Sequence, residues 1–209
     1  MASTVTELLR RRFGGKSLPY DAEIEYLEST GTQWIDTGYM LNDRCRVQGK
    51  LKLYNISSVY AIWGAREKND YSNNYSMFNV NYHPRADYGN VMATHSFNYI
   101  NENSKVIIVF DINAGTAVVN GDTYIFSDSL KPFNCPASAT IFTVNSGEGV
   151  DQRFSTGEIV YFKISDENGI LVRDFIPVRV GTTGYMYDKV SGQLFGNSGT
   201  GDFILGNDK

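Results

Sequence analysis

The chain is poor in the residue types on which much protein chemistry depends. It has two cysteines, Cys45 and Cys135, enough for one bridge at most. Sequence does not show whether their Cα atoms come within bridging range, so they read as two thiols, one or both buried. There are two histidines, His83 and His95. No Gly-x-Ser-x-Gly, His-Glu-x-x-His or Cys-x-x-Cys pattern occurs, which leaves no short motif for a hydrolase elbow, a zinc peptidase or a dithiol centre. Gly147 to Gly149 and Gly199 to Gly201 sit among strand segments and read as turns, not as phosphate-cradling loops opening a helix. No apolar run approaches the ~18 residues of a membrane span. A basic surplus is also missing: 19 Lys and Arg stand against 23 Asp and Glu, for a net charge of −4. That balance disfavours nucleic acid and anionic membrane as partners. The N-terminus lacks the basic start, apolar middle and small-residue cleavage site of a secretory signal, since Arg10, Arg11 and Arg12 follow Leu8 and Leu9 instead of preceding them. Export by that route is therefore not expected.

What the chain has in quantity is aromatic and turn-forming residues: 14 Tyr, 12 Phe and 20 Gly in 209 residues. Such a mixture favours short strands joined by tight turns. A chain of this length buries roughly 70% of its unfolded surface and builds a core without staples. Residues 1–21 differ from the rest. Thr4 and Glu7 have capping-box spacing, Val5, Leu8 and Leu9 form a short apolar stripe, and Gly14 and Gly15 end it, which predicts a helix over Ser3 to Arg12. From Ala22 onward the pattern is β. Ile24–Leu27, Trp34–Thr37, Arg46–Leu53 and Tyr75–Tyr82 alternate or nearly alternate apolar with polar residues. Val106–Ile112 reads as a strand buried on both faces. Thr116–Val119 and Asp122–Phe126 flank Asn120-Gly121, the pair that suits a type I′ hairpin turn. Ala139–Val144, Gly157–Ser165 and Leu171–Pro177 complete the series, with a turn at Asp166–Gly169. Many short strands with Gly-rich turns predict one β-sandwich or jelly roll over residues 22–209.

Several of these segments resemble one family. Ile24–Gly38 followed by Ile62–Arg66 resembles the opening of concanavalin A-like, laminin-G-like jelly-roll domains found in gut bacteria and their phages. Val106–Gly121 is similar to the central hairpin of that fold, and Gly157–Ile164, Leu171–Pro177 and Gly184–Phe195, ending at Gly206, are similar to its C-terminal signature. The resemblance implies an all-β, concanavalin A-like β-sandwich preceded by a short N-terminal helix. The opening, with three arginines leading into Leu18–Asp21, resembles phage and prophage structural proteins. Lectins, glycoside hydrolases, adhesion modules and inert structural domains share this fold, so it does not select a function.

Candidate sites follow from residue chemistry. Asn69–Tyr88 combines aromatic rings with hydrogen-bonding side chains, the pairing a sugar surface uses to stack a pyranose and satisfy its hydroxyls. On a continuous strand Asn79, Asn81 and His83 share one face, and Phe78, Val80 and Tyr82 share the other and enter the core. Tyr71, Asn73, Asn74, His83, Arg85 and Tyr88 are then the expected surface contacts to a bacterial or mucin glycan, with a Tyr-rich structural loop as the alternative. Glu23, Glu25 and Glu28 superficially resemble the catalytic strand of laminarinase-type hydrolases, although Glu25 stands where that family has Asp. The plain alternative is solvent-facing glutamates, because retaining chemistry needs carboxyls ~5–5.5 Å apart. Oxygen donors at Asp166–Asn168, Asn145–Asp151, and Asp111 with Asn113 could hold calcium, but Asx-rich turns bonding their own backbone are the preferred reading and no cofactor is expected. Residues 1–18 are expected to anchor the protein to other virion or assembly proteins through Val5, Leu8, Leu9, Arg10, Arg11 and Arg12. The arginines equally suit a helix C-terminus.

The expectation is a non-enzymatic, lectin-like display module on a phage virion surface. The alternatives are an exported bacterial carbohydrate-binding or adhesion domain at the cell surface, and a glycoside hydrolase using Glu23, Glu25 and Glu28. A homo-oligomer would add avidity to weak sites.

Overall fold

The computed structural model describes residues 17–54, 56–68, 71–92, 97, 106–113, 115–126 and 131–209, with the backbone alone at 71, 92 and 106. The predicted helix over Ser3 to Arg12, with Val5, Leu8, Leu9, Arg10, Arg11 and Arg12, lies outside the described residues. Within them the strands are β1 (Ala22–Glu23), β2 (Leu27–Ser29), β3 (Ile35–Asn42), β4 (Arg46–Leu53), β5 (Val59–Arg66), β6 (Asn74–Val80), β7 (His83–Tyr88), β8 (Val91–Met92), β9 (Val106–Asn113), β10 (Thr116–Val119), β11 (Asp122–Ile125), β12 (Asn134–Ile141), β13 (Gly157–Ser165), β14 (Leu171–Val180), β15 (Thr183–Asp188), β16 (Gln193–Phe195) and β17 (Ile204–Leu205). One 3₁₀ turn, Tyr71–Asn73, precedes β6. No helix among the described residues is long and apolar enough to cross a membrane.

The strands form two antiparallel sheets. The larger runs β11-β10-β9-β4-β13-β14-β15-β16, with β1, β2 and β17 attached at its side, and the smaller runs β3-β12-β5-β6-β7-β8. Strand β4 shows why the larger sheet has two characters. Val47, Leu51 and Leu53 turn inward and are buried, while Gln48, Lys50 and Lys52 turn outward, as its period-two pattern dictates. The inner faces meet in one core. Trp63 of β5 stacks on Phe110 of β9 at 5.2 Å between centroids and meets Phe162 of β13 edge-on at 5.7 Å, joining the two sheets. The result is a β-sandwich.

Three local readings are borne out or corrected by register. The hairpin β10–β11 turns at Asn120 and Gly121, both at positive φ (51° and 92°), as a type I′ turn requires. Strand β6 stops at Val80, and Asn81 and Tyr82 take positive φ (47° and 74°) to reverse the chain into β7, so the continuous strand read as far as Tyr82 is in fact a hairpin. Its faces are also exchanged. Tyr75 and Met77 enter the main core, whereas Phe78 and Val80 pack on the other side of the sheet with Ala61, Val144 and Val59. The segment that includes Val144 supplies this cover, through bonds such as Ala61 N–H to Arg153 O at 2.7 Å. Finally, β9 is buried on one face only: Ile108, Phe110 and Ile112 are inside, and Ile107 and Val109 are 50% and 42% exposed. Both cysteines are free and buried.

Candidate functional site

The outward face of the larger sheet is built in cross-strand rungs. In one, Gln48 of β4 stands opposite Lys163 of β13, which stands opposite Asp174 of β14. Asp174 is buried and holds two ammonium groups: Lys163 Nζ lies 3.2 Å from Oδ1 and Lys189 Nζ 3.2 Å from Oδ2. The next rung depends on a β-bulge. Ile159 pairs with Leu51 and Tyr161 with Lys50, so Val160 is the extra residue. Ile159 and Phe162 can thereby both enter the core while Tyr161 faces out beside Lys50. Between these rungs lies an open depression of about 450 Å³ lined by Gln48, Tyr161, Lys163, Asp174, Ile176 and Lys189. It offers an aromatic ring, an apolar side chain and charged and amide groups on β4, β13 and β14, with Lys189 in the turn after β15. At its outer margin Gln48 Nε2 donates to Asp111 Oδ2 at 3.2 Å, and Asp111 also pairs with Arg46.

A third rung carries two carboxylates. Glu158 of β13 stands opposite Glu28 of β2, and the Tyr54 hydroxyl reaches both, Glu28 Oε2 at 3.1 Å and Glu158 Oε1 closer still. With one proton it serves one acceptor at a time. Lys52 Nζ adds an ion pair to Glu158 at 3.0 Å. Burial, reinforced by hydrogen bonds to the two carboxylates, pushes the Tyr54 phenol well up.

The glutamates singled out in the sequence are not gathered on this rung. Glu23 accepts from the Tyr20 hydroxyl at 3.2 Å, and Glu25 accepts from Asn207 Nδ2 at 3.1 Å. Glu28 alone faces another carboxylate, and none of the three lines the depression.

The Asn69–Tyr88 stretch divides. Asn74 and Tyr88 are not surface contacts, being 0% and 2% exposed. Asn74 Nδ2 points at Asp87 Oδ2 at 3.5 Å, and the Tyr88 ring packs edge-on against Tyr75 and stacks on Phe126, each at 5.0 Å, with its hydroxyl donating to Asp43 O. The reason is the β6–β7 hairpin, which turns these positions under neighbouring segments. Asn73 donates to Glu67 Oε2 at 2.7 Å, and His83 Nδ1 lies 3.5 Å from Phe97 O. Arg85 is pinned to Asp87, Nε to Oδ1 at 2.8 Å, with its guanidinium 4.9 Å from the Phe78 ring centroid. Arg66 and Arg153 approach the same ring at 5.8 and 5.4 Å. Burial pushes the Asp87 carboxyl up to about 6 against the pull of Arg85, Asn74 and Arg66. Burial also opposes ionisation of Asp151, yet hydrogen bonds and charge from Arg153, with Arg66, hold it below the usual carboxylate range. The Tyr71 side chain lies outside the described residues. This cluster ties the cover segment to the smaller sheet more than it presents groups to solvent.

The oxygen donors weighed for calcium have local partners. Asp166 Oδ1 accepts the Asn168 and Ile170 backbone N–H groups at 2.9 and 2.8 Å, and Asn145 Oδ1 accepts from Gly147. Asp151 faces Arg66 and Arg153, and Asp111 faces Arg46. No group of three or more His, Cys, Asp or Glu among the described residues could hold a metal ion.

Sequence reasoning missed the lining of the depression. Lys163, Asp174 and Ile176 sit in segments read simply as strands, and only the register brings them beside Gln48 and Lys189. No protein-family model matches the chain, and no curated protein matches it.

Proposed function

We propose that this protein is a carbohydrate-binding display module without catalytic activity, whose ligand lies in the depression on the outer face of the larger sheet. The depression carries the reading. A Tyr161 ring beside the Ile176 side chain gives a sugar face something to stack on, and Gln48, Lys163 and Lys189 surround it with hydrogen-bonding groups. Strands hold five of the six lining residues, and Lys189 sits in the turn that follows β15, so little ordering entropy is lost on binding. The finer assignment, a concanavalin A-like, laminin-G-like jelly roll on a phage virion surface, rests on the segments of the sequence that resemble that family. Anchoring through residues 1–18 belongs to the same proposal. The carboxylates give weak support to hydrolysis, because Glu158 is engaged by Lys52 and Tyr54 and lies one rung beyond the Tyr161 rung.

The test is a screen of the full chain against bacterial and mucin glycans, with Tyr161→Ala and Arg85→Ala variants alongside. Binding that is lost in Tyr161→Ala and kept in Arg85→Ala is the expected result. Binding lost only in Arg85→Ala would move the site to the smaller sheet, and release of reducing sugar by the wild-type chain would restore the hydrolase.

A further inference from the structure

We infer that the ligand of this face is an acidic saccharide, one carrying a carboxylate or sulfate, whose charge is met by Lys50 together with Lys163 and Lys189. The inference rests on the binding role proposed for the depression and adds the class of ligand.

The argument is an inventory of charge on one face. Arg46 is matched by Asp111, with Nε to Oδ1 at 2.8 Å, and Lys52 is matched by Glu158 at 3.0 Å. Lys163 and Lys189 share a single carboxylate, Asp174, each taking one oxygen at 3.2 Å. Lys50 has no ion pair among the described residues. It stands directly opposite Tyr161 and two positions from Gln48 on the same face of β4. Lys50, Lys163 and Lys189 thus stand around the depression against the one carboxylate Asp174, and with Glu28, the second carboxylate of the Glu158 rung, counted in, these groups still keep one positive charge in excess, in a chain whose net charge is −4. Composition therefore does not account for that excess. Cross-strand neighbours on one face interact directly, so the Lys50 ammonium and the Tyr161 ring form one surface.

Donor and acceptor supply points the same way. Asp174 offers little to sugar hydroxyls: both oxygens lie 3.2 Å from an ammonium group, and Oδ1 is itself buried with no hydrogen-bond partner among the described residues. Gln48 has an amide hydrogen committed to Asp111. What remains around the Tyr161 ring is mainly ammonium N–H, which suits an anionic oxygen better than a hydroxyl, since charge-assisted hydrogen bonds are roughly twice as strong as neutral ones. A half-buried strand face also screens such a contact less than open solvent would.

The experiment is calorimetric titration of the full chain with three probes: uronic acid oligosaccharides, the same oligosaccharides after carboxyl reduction, and sulfated galactose oligosaccharides. Wild type, Lys50→Gln, Lys50→Arg and Tyr161→Ala are compared at low and high salt. The expected result is binding of an acidic probe that weakens about tenfold in Lys50→Gln and, for the uronate, by a similar factor on carboxyl reduction, in line with one charged hydrogen bond. Lys50→Arg should keep most of the affinity, and added salt should weaken it. Whether the uronate or the sulfated probe binds identifies the source of the anion. If neutral and acidic forms bind equally, with loss in Tyr161→Ala and none in Lys50→Gln, the acidic ligand is overturned while the binding role stands. If none of the three probes nor any neutral glycan binds, both fall together.

Discussion

Asp87 writes pH into the stability of the smaller sheet. Its side chain is 1% exposed, paired with Arg85 on its own strand and faced by Asn74 of β6, with Arg66 of β5 adding charge nearby and Asp151 held by Arg66 and Arg153 beyond. Burial outweighs these partners and raises the carboxyl from 3.8 to about 6. A carboxyl whose pKa is higher folded than unfolded binds its proton more tightly in the folded state, so its contribution favours folding most at low pH and fades as pH rises through that window. The shift is about 2 units at 1.36 kcal/mol each, or about 3 kcal/mol across the window. Asp87→Asn removes this titration and leaves the other groups in place. The unfolding free energy of wild type minus that of Asp87→Asn should therefore fall by up to about 3 kcal/mol between pH ~4 and ~6.5. Urea unfolding followed by tryptophan fluorescence at a series of pH values measures it. A flat difference would mean that the carboxyl is solvated, and a rising one that the Arg85 pair dominates; either result refutes the reasoning.

Three further outcomes follow from geometry. At Gly64, φ is +132° and an added Cβ would sit 2.4 Å from Ser76 Cα, so Gly64→Ala should cost about 3 kcal/mol or more in urea unfolding, through backbone strain and overpacking. Cys45 and Cys135 are buried with their thiols raised, Cys135 to about 12, so neither should react with a thiol reagent at pH 8 until the protein is unfolded. Because the candidate calcium donors are occupied by turns and arginines, the thermal midpoint should be the same with calcium and with chelator, and a rise with calcium would reveal a site.

The parts of the fold governed by local rules could be read in advance. Asn120-Gly121 demanded a type I′ turn, and the alternation in Arg46–Leu53 told which side chains face the core. What escaped were non-local choices. Nothing in Tyr75–Tyr82 showed that the chain would reverse at Asn81 and Tyr82, or that a cover segment including Val144 would bury Phe78 on the far side of the sheet. That cover exchanged the two faces, while the β6–β7 hairpin carried Tyr88 into the main core against Tyr75 and Phe126. The apolar run Val106–Ile112 implied two buried faces, but no described segment covers Ile107 and Val109. Tyr161 was hidden most thoroughly. Strict alternation puts it on the same face as Ile159, and the bulge at Val160 sends it to the opposite one. Binding surfaces assembled across β4, β13 and β14 exist only once strand order is known.

The most direct test of the account is an NMR titration of the full chain with an acidic oligosaccharide, read at assigned backbone and side-chain resonances. Shifts concentrated at Gln48, Lys50, Tyr161, Lys163, Ile176 and Lys189, absent in Tyr161→Ala, are the predicted result. Shifts centred on His83 and Arg85, or none at saturating ligand, would contradict it.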